Sequence, residues 1–341
     1  MKKFPKVPWF VIMFVLAVMR GHAQSANEVI RLDPALDDIV PADAQVEKLA
    51  GEFSFLEGPV WVRKGRYLLF SDIPANVINK WTPRGKVSVF TKPSGFTGTD
   101  PSDVGGENNN GRAVVALIGS NGITLDRQGR VVFCAHGDRA VIRLAKDGRR
   151  TVLADRYESK RLNSPNDLVY KSDGALYFTD PTSGLRNRDK DAKRELPFTG
   201  VYLLAGGKLQ LLVKDMPHPN GLAFAPGEKY FYVNDSSKKI IMRYEVQPDD
   251  TIANGQVFID MTPDNAPGAP DGMKVDQKGN VYCVGPGGFW IISPEGKHLG
   301  TVKPPERPTN LAFGDADGKS LYITARTGLY RIHLKVAGIR P

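Results

Sequence analysis

Short apolar runs recur along the chain, each closed by a turn that contains glycine. The clearest case is Ser164 to Pro181, SPNDLVYKSDGALYFTDP. Its pattern predicts a β-hairpin, with Leu168 to Tyr170 and Ala175 to Thr179 as strands and Lys171 to Gly174 as a turn ending in Asp-Gly. Variants of this hairpin start at Glu57, Asn121, Asn166, Asn220, Asp271 and Thr309. Further strand pairs lie between them, for example Ile78 to Trp81 with Lys86 to Phe90, and Val201 to Leu204 with Lys208 to Val213. Four short strands in about fifty residues, repeated, are the signature of a β-propeller. No segment shows a helical period, so the expected fold class is all-β, a six-bladed β-propeller over 46–335. The last unit ends near His333 and lacks a strand. Val46 to Phe55 is expected to supply it and so close the ring.

The first residues change the picture of where the protein works. Lys2, Lys3 and Lys6 precede an apolar run from Pro8 to Met19, followed by small residues at Gly21 and Ala23. This predicts a signal peptide over 1–23, cleaved after Ala23, and an exported, periplasmic or extracellular protein. The run is short for a bilayer span, so no stable membrane insertion is expected. Residues 24–45, polar and proline-containing, read as an N-terminal linker.

The 341 residues carry a net charge of +9, and loss of Lys2, Lys3, Lys6 and Arg20 reduces it by four, to +5. The remaining basic residues are scattered, with no basic arm, which argues against nucleic acid as a partner. The 35 glycines are spread along the chain, as a turn-rich β protein requires. Cys134 and Cys283 sit inside apolar strand-like runs and read as buried, unpaired side chains. Two insertions, Lys92 to Ala116 and Gly184 to Thr199, read as exposed loops, either placed over the binding face or simple solvated excursions.

In a propeller the first strand of each blade lines the central channel. Glu57, Asn121, Asn166, Asn220, Asp271 and Thr309 should therefore converge at one end, and all six carry a side-chain oxygen. Turn chemistry alone explains an Asn or Asp at any one of these positions, but less readily Glu57. Carboxylate and amide oxygens suit a hard divalent cation, Ca²⁺ first, with Mg²⁺ or Mn²⁺ as alternatives. Zn²⁺ is less well matched, because no HExxH or CxxC occurs. His136, at the end of a repeat strand, and His218, just before Asn220, are read as either channel-lining or packing residues. Nucleophile-elbow, P-loop and dinucleotide patterns are all incomplete, so no serine or cysteine nucleophile is indicated.

The blocks EGPVW, GSNGITLDRQGR, ADRYESKRLNSPNDLVYKSDGALYFTDP, HPNGLAFAPGEK and APDGMKVDQKGNVY, in this order, resemble the gluconolactonase, senescence-marker and luciferin-regenerating-enzyme family. The resemblance runs from about Phe55 to Tyr330. It implies a six-bladed propeller with a divalent cation in the channel, often calcium, and hydrolysis of lactones or related esters as small-molecule substrates. By motif match it implies Glu57, Asn166, Asn220 and Asp271 as metal ligands and Asn121 on the substrate side. His218 and Asp167 are assigned to the substrate side with it. Asp271 is the expected general base, with His136 in reserve. Two departures stand out: Ala135 where relatives often have Glu in Cys-Glu-His-Gly, and Thr182-Ser183 where they often have Pro-Tyr. These keep two other readings open, a phosphotriesterase or aryl esterase on the same scaffold and a metal-stabilised propeller that binds without turnover.

Overall fold

The computed structural model describes residues 1–2 and 28–341. The expected signal peptide lies almost wholly outside the described residues. Six antiparallel sheets of at least four strands follow one another around a ring. Blade 1 is built from Leu56–Val62, Tyr67–Asp72, Val77–Trp81 and Val87–Thr91. Blade 2 uses Ser120–Leu125, Val131–Ala135, Ala140–Leu144 and Arg150–Ala154. The hairpin of Leu168–Tyr170 and Leu176–Asp180 opens blade 3, with Leu168 opposite Phe178. Pro219–Phe224, Met273–Val275 and Asn310–Gly314 are the inner strands of blades 4, 5 and 6.

Why the strands read as apolar runs rather than clean alternations is visible in the packing. Each blade is covered on both faces by its neighbours, so inner and second strands are buried along nearly their whole length. Outer strands face solvent, and Ile252–Asp260 is exposed at its middle. Six hydrophobic clusters fill the six interfaces between adjacent blades. The one between blades 6 and 1 stacks Trp61 on Tyr322 at 5.4 Å between ring centroids. Both cysteines are buried and free.

Ring closure follows the expectation. Glu47–Ala50 pairs with Gly328–His333, so blade 6 joins strands from both ends of the propeller sequence. Two boundaries differ from it. Residues 28–45 are not a free linker: Glu28–Arg31 adds a fifth strand to blade 5, and a short 3₁₀ turn, Pro34–Asp38, follows. Leu36, Ile39 and Val40 from this stretch are buried in the core between blades 5 and 6, and these apolar residues are what the polar average conceals. At the other end the propeller runs past 335. Leu334 and Val336 are buried, and Ile339 donates its backbone N–H to Val275 at 2.9 Å.

Candidate functional site

Glu57, Asn121, Asn166, Asn220 and Asp271 do converge, together with His136 and His218, around a cavity of about 200 Å³ at one end of the channel. The local cause is a repeated step. Ladder registers shift between Glu57 and Val60, and between Pro219 and Leu222, so the inner strands of blades 1 and 4 bulge where their site residues turn inward. Glycine follows four of the five, at Gly58, Gly122, Gly221 and Gly272. A Cβ on Gly58 would lie 2.0 Å from the Asn121 carbonyl oxygen, and one on Gly221 2.3 Å from that of Asp271. The glycine lets each inner strand touch the next blade just below the site.

A second device holds the loops that deliver these side chains. Asp72, at the end of the second strand of blade 1, accepts the N–H groups of Ser54 and Phe55 at 3.0 and 3.1 Å. Asp180 accepts those of Asn163 and Ser164, both at 2.8 Å, and Asp235 that of His218 at 3.1 Å. These clamps fix the approach to Glu57, Asn166 and Asn220. Ala135 occupies the same place in blade 2, opposite Ser120, where Ser94 Oγ instead accepts the Ser120 N–H at 3.0 Å. The carboxylate absent at 135 is therefore absent from a clamp position. Thr182 has a structural task too, donating to Asp189 at 2.9 Å and anchoring the second insertion.

Two predicted residues do not reach the cavity. Thr309 turns away and donates to the Leu56 carbonyl at 2.7 Å, because a β-branched hydroxyl can satisfy backbone at the blade 6–blade 1 seam. Asp167 is not among the residues lining the cavity. Blades 3 and 6 face each other across the ring, and they carry Asp167 and Asn310 where the others carry glycine. Asn310 Nδ2 donates to Glu57 Oε2 at 3.0 Å and approaches Asp167 Oδ2 at 3.5 Å. Lys274 Nζ stands 3.9 Å from Asp167 and donates to Asn310 Oδ1 at 3.4 Å. This charged tier closes the channel beneath the site. Asn310 and Lys274 escaped sequence reasoning, although Asn310 shares the repeat position of Asp167.

Both insertions close over the cavity. Asn108 comes from the first and Arg188 from the second, Leu117 and Ser183 flank them, and Arg307 comes from the loop before blade 6. The insertions bridge each other at Val104 and Leu185, and Arg186 pairs with Glu107 at 2.7 Å.

Burial dominates the electrostatics. It pushes the Asp271 carboxyl up to about 7, against the charge of Arg307 and the Asn220 amide. It raises Glu57 well above the carboxylate range, and the charge of Asp271 adds to that. His136 is fully buried and pushed down to about 3, so its ring is neutral. Asn121 Nδ2 lies 3.2 Å from His136 Nε2, an arrangement that leaves Asn121 Oδ1 and His136 Nδ1 without partners among the described residues. His218, half-buried, is lowered by burial and by the nearby Arg188.

The donor set is two carboxylates that cannot both ionise cheaply, with amide oxygens beside them. Among the described residues no three His, Cys, Asp or Glu side chains cluster closely enough to hold a metal ion, so an ion here would need the amide oxygens of Asn166 and Asn220. The arrangement fits a hard divalent cation that takes oxygen ligands.

The SMP-30/Gluconolactonase/LRE-like region matches residues 55–327 of the chain. The gluconolactonase of Zymomonas mobilis is 34% identical over 345 residues, spanning 96% of this chain and 94% of that protein. The structure of a gluconolactonase from Xanthomonas campestris superposes with a TM-score of 0.77 at 31% identity, covering 91% of this chain and 95% of that one. Regucalcin from Agrobacterium tumefaciens, described as a calcium-binding protein, shares the fold with a TM-score of 0.68 at 18% identity, covering 87% and 96% of the two chains. With four-fifths of its length inside the matched region and two gluconolactonases related to it almost end to end, the chain belongs to the SMP-30/gluconolactonase/LRE-like family.

Proposed function

We propose that the protein is an exported hydrolase that opens a sugar lactone by attack of water, with a divalent cation held by Glu57, Asn166, Asn220 and Asp271. One observation carries the reading. A buried carboxylate, Glu57, and a half-buried one, Asp271, face one small cavity, and neither is hydrogen-bonded to a cationic side chain among the described residues. Such a pair is costly unless a positive charge joins it. Calcium is the preferred ion, given the oxygen donors and the calcium-binding description of the Agrobacterium regucalcin. When bound, the cation supplies Lewis-acid polarisation of the lactone carbonyl and charge for the oxyanion.

The chain's own residues do the rest. Asp271, ionised once the cation is bound, lines the cavity where it can take a proton from the attacking water. His136, neutral and enclosed, orients the Asn121 amide rather than acting as the base. Asn121 lines the cavity with its buried Oδ1 unpartnered among the described residues, an acceptor for a sugar hydroxyl that reaches it, and His218 offers a second polar contact. The bridged insertions limit water above the reacting bond.

The test is acid release from a panel of aldonolactones, with and without EDTA. Metal-dependent turnover that is lost in Asp271→Asn supports the reading. Tight cation binding with no turnover on any lactone or ester would make the protein a binding module. If Glu57→Gln left the cation-induced rise in Tm intact, the ligand set would be wrong.

A further inference from the structure

The mouth of the cavity carries two guanidinium groups that the hydrolytic chemistry does not use. Arg188 comes from the second insertion and Arg307 from the loop before blade 6, and both line the cavity. Neither forms an ion pair with a carboxylate within 4.0 Å among the described residues. By contrast Arg186 and Arg194, on the same insertion, pair with Glu107 and Asp189.

Arg188 is held in place. Its backbone has φ of 49°, in the left-handed region that costs a non-glycine residue energy. Its N–H donates to the Leu185 carbonyl at 3.0 Å, and its guanidinium to the Glu107 carbonyl at 3.0 Å, across the two insertions. The insertion beneath is tied down as well, because buried Arg139 donates to the Lys193 carbonyl at 2.8 Å. Strain maintained by so many contacts holds the side chain at the cavity, whose lining it shares with His218. Arg307, from the loop before blade 6, lines the same cavity.

We infer that Arg188 and Arg307 select the substrate: the lactone that fits this mouth carries an anionic group, a carboxylate or a phosphate, away from the scissile ester. A divalent cation would balance the Glu57 and Asp271 carboxylates, which leaves the two guanidiniums to face an incoming anion. Planar guanidinium groups match carboxylate and phosphate oxygens in geometry as well as charge. This inference rests on the lactonase reading and goes beyond it by naming the substrate class.

The experiment compares kcat/KM for glucono-δ-lactone with that for two anionic relatives, a glucarolactone carrying a carboxylate and 6-phosphoglucono-δ-lactone. The quantity read is the anionic-to-neutral ratio, which should exceed one by about tenfold in the wild type, expressed in KM, and shrink with added salt. Arg188→Ala and Arg307→Ala should each lower that ratio by about threefold, and the Lys variants should restore it in part. The preferred of the two anionic lactones identifies the group. A ratio near one in the wild type, with gluconolactone well hydrolysed, overturns the inference and leaves the lactonase reading standing. So does an unchanged ratio in both variants. No hydrolysis of any of the three lactones removes both.

Discussion

Cation binding should be steeply pH-dependent, because the site must lose a proton to form. Asp271 titrates at about 7 in the free chain, raised by burial. For one such group, about three quarters is ionised at pH 7.5 and about 3% at pH 5.5. Calcium affinity should therefore fall about 25-fold between the two, with about one proton released per ion at the lower pH and about a quarter at the higher. Glu57 is raised as well, so a second proton steepens the change. Calorimetric titration with Ca²⁺ at both pH values, each in two buffers of different ionisation enthalpy, measures affinity and proton release together. Asp271→Asn should bind more weakly and lose most of this pH dependence. An affinity change below about threefold, with heats independent of buffer, would falsify the claim that buried carboxylates form the site.

Other expectations concern the support of the site. Lys274→Met leaves Asp167 buried beside Asn310 without its cation and should cost about 1–3 kcal/mol in denaturant unfolding; an unchanged midpoint would remove Lys274 from any role in the channel tier. Asp180→Asn keeps one acceptor for two N–H groups and should cost about 2 kcal/mol, with weaker cation binding because Asn166 rides on that loop. Loss of stability without loss of cation affinity would separate the clamp from the site. In EDTA, thermal stability should fall as pH rises from 5.5 to 8. Asp180 and Asp271 are raised from 3.8 to about 7 in the folded chain, chiefly by burial. The folded chain thus keeps protons that the unfolded chain has released, a contribution that is full below the unfolded value and lost as pH climbs through the folded one. A flat or rising Tm over that range would contradict the burial of these groups.

Much of the fold was legible because a propeller blade is local. Its strands are neighbours in sequence, and the Lys171–Gly174 turn and the apolar runs around it encode their own pairing. Ring closure was legible too, since a unit one strand short implies a partner elsewhere, and Glu47–Ala50 meets Gly328–His333 as that count requires. The ends were harder. Leu36, Ile39 and Val40 are too few to show a period, and only packing against blades 5 and 6 makes them core.

The site divides in the same way. The repeat by itself determined that Glu57, Asn121, Asn166, Asn220 and Asp271 stand at equivalent places, because each opens an inner strand and glycine follows four of them. Only the tertiary structure decided what lies across the channel. Asp167 and Asn310 are 143 residues apart and meet only because blades 3 and 6 are opposite in a ring of six. The same ring turns Thr309 into a seam contact and brings Arg188 and Arg307 to one mouth. A repeat specifies its own unit through short-range hydrogen bonds and burial. What the units do to one another across a shared axis depends on distances that no single unit contains.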